Sequence, residues 1–343
     1  MRFFLRFTLL QSSGTFRVMA LFFVCCGAFG QSHCHLRDPK RSVFDAYPES
    51  DGYRAIVREV DTEARNYVER RLPFRVHFNE LGDHTLYVAL RGKRPLGLIY
   101  VRSEESEWGL TEIAWHLSLD LRVREFKFHR CRNRYRNALE QSLFAKKLTG
   151  LDYESVIALL TRTGRLGEVR RYVPRGAEEL ATTVVRSAAK ALVVIHSVWN
   201  AELEKLQDLE LGMSAFPHAD SFERLVSENR VDASEASKTP KSKMVRSVRA
   251  VQARAEKRRL LGRVIETRLH LDSENLVVRW HLGPENEVVS ILPVDDDISL
   301  SQREMLEQVV DRKLDRISGE RTIERAAQEL ATILETLTTV GRH

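Results

Sequence analysis

The densest run of chemically capable side chains is His129-Arg130-Cys131-Arg132-Asn133-Arg134-Tyr135-Arg136, with Phe126 and Phe128 just ahead of it. Cations at this density can hold a phosphate or an acidic partner. A solvated strand end leading into a helix explains them as well. Asp295-Asp296-Asp297 is chemistry for a hard cation such as calcium, or an acidic approach to a helix N-terminus. His33-Cys34-His35 places metal-ligand types in an N-terminal tail. There is no Gly-x-Ser-x-Gly, His-Glu-x-x-His, Walker or Cys-x-x-Cys motif, so the usual hydrolase, nucleotide-hydrolysis, thioredoxin-like and c-haem chemistries have nothing to rest on. The remaining histidines, including 77, 84, 116 and 196, are scattered and are expected to be structural.

The 343 residues are 43% hydrophobic and 30% charged, enough for buried cores and too polar for a multi-span membrane protein. Net charge is +6, but Arg2, Arg6 and Arg17 sit at the N-terminus, and the rest carries about +3. That balance does not imply nucleic acid. Those arginines precede the apolar run Val18–Phe29, and Ala28-Phe29-Gly30 supplies small residues before Gln31, as in a secretory signal over residues 1–30. The expectation is an exported, periplasmic protein, membrane-associated if the segment stays uncleaved. Cys34 and Cys131 would then be the two cysteines left, either paired or as separate thiols.

Apolar positions at Ile56, Val57, Val60, Ala64 and Val68 recur at helical spacing and predict a helix over 53–71, ended by Pro73. Short apolar runs between turn residues predict strands at 75–78, 85–90, 96–101, 111–117 and 121–128. Helices are predicted at about 134–148, 152–161 and 177–199. Strands followed by helices indicate α+β, an antiparallel meander sheet packed with helices. Residues 201–211 read as polar helix, 221–228 as a short amphipathic helix and 231–243 as linker. The arginine-rich stretch 244–261 reads as a helix with a solvated face. Strands at 263–271, 276–282 and 288–292 come next. A helix from Ser301, with a Ser301–Glu304 capping box, runs to Ser318-Gly319, and a last helix covers 320–338. The expected division is a signal over 1–30, a first domain over 45–200, a helical linker over 201–245 and a second α+β domain over 246–343. The second domain can be read as a smaller, degenerate copy of the first.

Within the first domain, Lys93-Arg94-Pro95-Leu96-Gly97-Leu98-Ile99-Tyr100-Val101 and Trp108-Gly109-Leu110-Thr111-Glu112-Ile113 carry a pattern that resembles the bacterial extracytoplasmic FMN-binding domain. This is the flavin-carrier domain of Rnf and sodium-pumping NADH-quinone reductase subunits and of related periplasmic proteins. The resemblance covers roughly residues 50–200 and, less specifically, 262–340. In that family Asp-x-x-Ser/Thr-Gly-Ala-Thr opens the final helix, and a flavin transferase esterifies the last Thr with the FMN phosphate. A helix N-terminus suits a phosphate. Here the stretch is Gly176-Ala177-Glu178-Glu179-Leu180-Ala181-Thr182-Thr183. It keeps Ala-Thr at Ala181-Thr182, with Gly176, Glu179 and Leu180 in place of the Asp, the Ser/Thr and the Gly. Glu179 repels a phosphate, and Leu180 removes the close backbone approach that Gly permits.

The resemblance therefore implies FMN, covalent or non-covalent, at Thr182, with Ala181, Thr183, Trp108 and Gly109 beside it. It also implies an electron-transfer flavin carrier rather than an enzyme, with membrane redox subunits and, for covalent attachment, a flavin transferase as partners. No catalytic residue, metal site or nucleic-acid partner is implied. In the second half, Asp315-Arg316-Ile317-Ser318-Gly319-Glu320-Arg321 is similar to the same opening without its Thr. A degenerate repeat and a helix–Gly–helix corner capped by Ser318 both account for it. The alternative function is a cofactor-free periplasmic binding or assembly module on the same scaffold, which the altered flanks of Thr182 favour.

Overall fold

Runs of Val, Ile, Leu and aromatic residues recur along the chain, and the structure pairs them into two five-stranded antiparallel sheets. It is a computed structural model that describes residues 36–76, 81–225, 245–271, 274–294, 298–317 and 322–340. Each sheet is a meander in chain order. The first holds β1 (Gly52–Val60), β2 (Gly82–Arg91), β3 (Arg94–Ser106), β4 (Gly109–Leu117) and β5 (Val123–Arg130). The second holds β6 (Ser221–Leu225), β7 (Val245–Arg254), β8 (Leu260–Leu271), β9 (Glu274–Leu282) and β10 (Val288–Pro293). The expected α+β class with a meander sheet is what the chain adopts.

Helices cover both sheets. Around the first sheet lie α1 (Pro39–Ala46), α2 (Thr62–Arg71), α3 (Arg136–Glu140), α4 (Leu143–Leu148) and α5 (Tyr153–Ala158). α6 (Glu178–Ala215) follows, and α7 (Leu300–Glu307) and α8 (Thr322–Val340) come after the second sheet. One face of the first sheet, including Leu86, Leu98, Ile113 and Trp115, buries against Val184, Val185, Ala188 and Leu192 of α6. The other face lies under α1, where Val43 and Tyr47 meet Ile99, Val101 and Ala114. The second sheet repeats this sandwich. Ile265, Val278 and Trp280 bury against Ala326, Ala327 and Leu330 of α8, while Val251 and Val264 pack on Leu211 and Phe216 at the other end of α6.

Several local expectations are corrected. Residues 53–71 are not one helix. β1 pairs with β2 along its whole length, and the helix starts only at Asp61, whose side chain accepts a hydrogen bond from the Ala64 N–H. An edge strand with one open face shows too few apolar residues to alternate, and its spacing imitates a helix. Arg75 and Val76 are outside any strand, and 77–80 lie outside the described residues. The helix expected over 134–148 is split into α3 and α4 by Ser142, which caps the second piece. Residues 221–225 and 245–254 are strands rather than helices. Ala, Arg and Gln give 244–261 a high helix propensity, but burial of Ala250, Val251 and Ala253 between two layers overrides it. The capping box is Ser299 with Gln302, not Ser301 with Glu304, and α7 ends at Glu307 rather than near residue 318. The 1–30 segment, Cys34, the 231–243 linker, Asp295–Asp297 and Ser318–Arg321 lie outside the described residues.

α6 crosses the expected boundary at residue 200 and bends at Trp199, whose φ and ψ are −116° and 20°. Its first half closes the first sheet and its second half opens the second unit, so one helix belongs to both.

Candidate functional site

Thr182 sits in the second turn of α6, where its hydroxyl donates to the Glu178 carbonyl at 2.8 Å. The Thr183 hydroxyl likewise donates to the Glu179 carbonyl at 3.2 Å, and Ala181 is fully buried. Both hydroxyls back-bond to their own helix. The first turn carries Glu178 and Glu179, and the N-cap Ala177 offers no side-chain cap, so charge at this terminus opposes an anion. Trp108 and Gly109 are at the β3–β4 hairpin tip, with Trp108 53% exposed. Ser106 Oγ donates to the Gly109 carbonyl across that tip. Among the described residues no hydrogen bond or ring contact joins Trp108 to the 181–183 turn. Cys131 is buried and accepts a hydrogen bond from Thr111 Oγ1 at 3.8 Å. His129, at the end of β5, has its pKa pushed down by burial.

The arrangement of the two sheets exposes a sequence signal that composition and motif reading missed. Ala46-Tyr47-Pro48-Glu49-Ser50-Asp51-Gly52-Tyr53 enters β1, and Ala215-Phe216-Pro217-His218-Ala219-Asp220-Ser221-Phe222 enters β6. Tyr47 and Phe216 end their helices with nearly the same backbone, φ −134° and −129°. Asp51 N–H donates to the Leu90 carbonyl and Asp220 N–H to the Arg254 carbonyl, both at 2.9 Å. Tyr53 pairs with Ala89 and that with Gly97. Phe222 pairs with Ala253 and that with Gly262 in the same way. Leu96-Gly97 and Leu261-Gly262 each precede a Trp-His-Leu triplet by the same spacing, Trp115-His116-Leu117 and Trp280-His281-Leu282. The chain therefore repeats one architecture twice, a helix, five strands in meander order and closing helices, with α6 common to both copies.

Each copy acts as a control for the other. In the second copy the sheet face under α8 carries Val248, Ile265, Thr267, Leu269 and Leu276. The same register positions in the first copy are His84, Tyr100, Arg102, Glu104 and Thr111. Aligning Ala188-Ala189 and Leu192 with Ala326-Ala327 and Leu330 sets Lys190 opposite Gln328. The first copy thus places a charged network where the second has a mostly apolar core. Glu104 accepts from Arg102 Nε at 3.2 Å and from Lys190 Nζ. Arg102 is 1% exposed, Glu104 6% and Lys190 8%. His84 Nδ1 lies 2.6 Å from the Tyr100 hydroxyl, and Tyr100 meets Trp199 edge-on at the helix bend. Thr111 stands across the ladder from Glu104 and donates to Cys131, within the basic run. Burying ions costs several kcal/mol each before pairing. The second copy supports the same architecture without that cost, so the fold does not require it.

The period-2 polarity at Tyr100, Arg102 and Glu104, in phase with Leu98, was the available signal for this network. Two cavities open near the helix bend and share His196. One of about 300 Å³ is lined by Arg71, Asp120, Asp152, Tyr153 and Glu154, and one of about 530 Å³ by Arg58, Asp61, Tyr67 and Asn200. Neither includes Thr182, Trp108 or Gly109. Among the described residues no group of His, Cys, Asp and Glu is placed to hold a metal. Comparison with protein-family models, curated proteins and solved structures finds no match.

Proposed function

We propose that this chain is an exported, cofactor-free binding module made of two tandem copies of one α+β unit, in which the first copy does the binding and the second supports it. The observation that carries this reading is the divergence between the copies. They share strand register and the Trp-His-Leu strand, yet among the described residues only the first has charges in its core, and only its sequence has a basic segment after the fifth strand. The engagement of Thr182 and Thr183 with their own helix carbonyls, beside Glu178 and Glu179, supports a module without flavin over an FMN electron carrier.

The test is the visible spectrum and intact mass of the protein exported from a host that supplies a flavin transferase. A colourless protein of unmodified mass is expected. A flavin spectrum with an FMN-sized mass increment, both lost in Thr182→Ala, would overturn the proposal in favour of the electron carrier.

A further inference from the structure

Between residues 122 and 175 the chain has fourteen Lys and Arg against five Asp and Glu, while the whole protein carries only +6. This basic lobe fills the connection from β5 to α6, which is longer than the matching connection from β10 to α8 in the second copy. Contacts within the lobe draw its cations together. Lys147 of α4 and Arg171 both lie over the Tyr172 ring, at 5.4 and 4.9 Å. Arg134 lies over Tyr135, whose hydroxyl end abuts Gly176, next to Arg175. The loop 132–136, α4 and residues 170–175 therefore form one surface. Its Arg132, Lys146, Arg170 and Arg175 are exposed. Among the described residues, no ion pair occupies them. Leu143, at the start of α4, is 62% exposed beside them.

We propose that this lobe docks the protein on an anionic lipid surface. The inference rests on the reading of the first copy as the binding half. Spread cations around an exposed Leu match a flat sheet of headgroup phosphates, with the apolar side chain entering the interface. A single-stranded nucleic acid would need open aromatic faces for its bases, but the Tyr172 and Tyr135 rings are covered by the lobe's own cations. A small anion would need convergent donors in a cavity, and neither cavity takes a wall from these cations.

The test is co-sedimentation of the full chain with vesicles of phosphatidylcholine alone or with about 30% phosphatidylglycerol. Binding is expected only to the anionic vesicles, falling at least about tenfold between 50 and 500 mM NaCl as the charges are screened. The quadruple variant Arg132→Gln/Lys146→Gln/Arg170→Gln/Arg175→Gln should bind at least about tenfold more weakly with an unchanged urea midpoint. Leu143→Ala should weaken binding severalfold with the salt dependence intact. No binding at low salt, equal binding to neutral vesicles, or equal retention by the quadruple variant would overturn the proposal. So would binding to polyglutamate or single-stranded DNA as tight as to the vesicles. A yellow, flavinylated protein that still binds vesicles would sink the cofactor-free reading alone. A colourless one that does not bind would sink the lipid inference alone.

Discussion

Replacing Glu104 with the second copy's Leu separates a structural role of the buried charges from a functional one. The Glu104 carboxylate is bonded to Arg102 and Lys190, whose side chains are 1% and 10% exposed. Glu104→Leu by itself removes the shared anion and leaves two buried cations without it. Breaking a buried pair in this way costs about 3–5 kcal/mol, a large share of the roughly 5–15 kcal/mol that holds a domain folded. Exchanging all three charges, Arg102→Thr/Glu104→Leu/Lys190→Gln, restores the residues that the second copy carries at Thr267, Leu269 and Gln328. Replacing a buried ionic network is neutral or stabilising by about 1–4 kcal/mol when the new side chains pack at matched volume, and the volume lost at Arg102→Thr offsets part of that gain. The expected order of urea midpoints is therefore Glu104→Leu far below wild type and the triple variant well above Glu104→Leu. Chemical denaturation followed by circular dichroism and Trp fluorescence reads both, since Trp115 and Trp199 border the network. A triple variant as unstable as Glu104→Leu would refute the reasoning and make the charges part of what holds the first copy together.

Gly97→Ala and Gly262→Ala should each cost about 1–3 kcal/mol by overpacking. A new Cβ at 97 would strike the Tyr47 ring, fixed by its hydrogen bonds to the Leu98 and Leu117 carbonyls, and one at 262 would strike the Leu282 carbonyl. Thermal melts of the two single variants check this. Burial pushes the Tyr47 pKa up to about 12 from its ordinary value of 10. The folded state thus keeps a proton that the unfolded chain loses, so stability should be fully present below pH 10 and fall between pH 10 and 12. A Tyr47→Phe variant should lack that fall in denaturation curves recorded across the range. Burial, and then the nearby Arg279 charge, push the His281 pKa down. Its contribution should be present above the ordinary histidine pKa and fade as pH drops below it, and His281→Gln should flatten the acid limb of the stability profile. Glu210 accepts from Arg94 of β3 at 2.8 Å and from Arg279 of β9 at 2.9 Å, tying the two copies together. Glu210→Ala should cost about 1–3 kcal/mol, read as a lower urea midpoint that Arg94→Ala in the same chain does not lower additively.

The class of the fold and most of its strands were legible because their cause is local. Alternating apolar residues between Gly, Asp and Ser turns specify short antiparallel strands wherever they occur, and β2 through β5 and β8 through β10 follow that code. The recurrence of the architecture, which the sequence admitted as a degenerate copy, is marked by two Ala-aromatic-Pro entries and two Trp-His-Leu strands. These marks are sparse because side-chain identity is needed at only a few fixed points: the helix exit, the Gly under an aromatic ring and the buried Trp. Tertiary structure decided what local pattern could not. It turned the Ala- and Arg-rich 245–254 into a strand, because burial on both faces outweighs helix propensity. It drew Thr182 and Thr183 back onto their own helix. It also gathered Arg102, Glu104 and Lys190, with Glu104 and Lys190 86 residues apart, into one buried network. Only register across strands and the packing of a distant helix bring such residues into contact, and no sequence window contains that information.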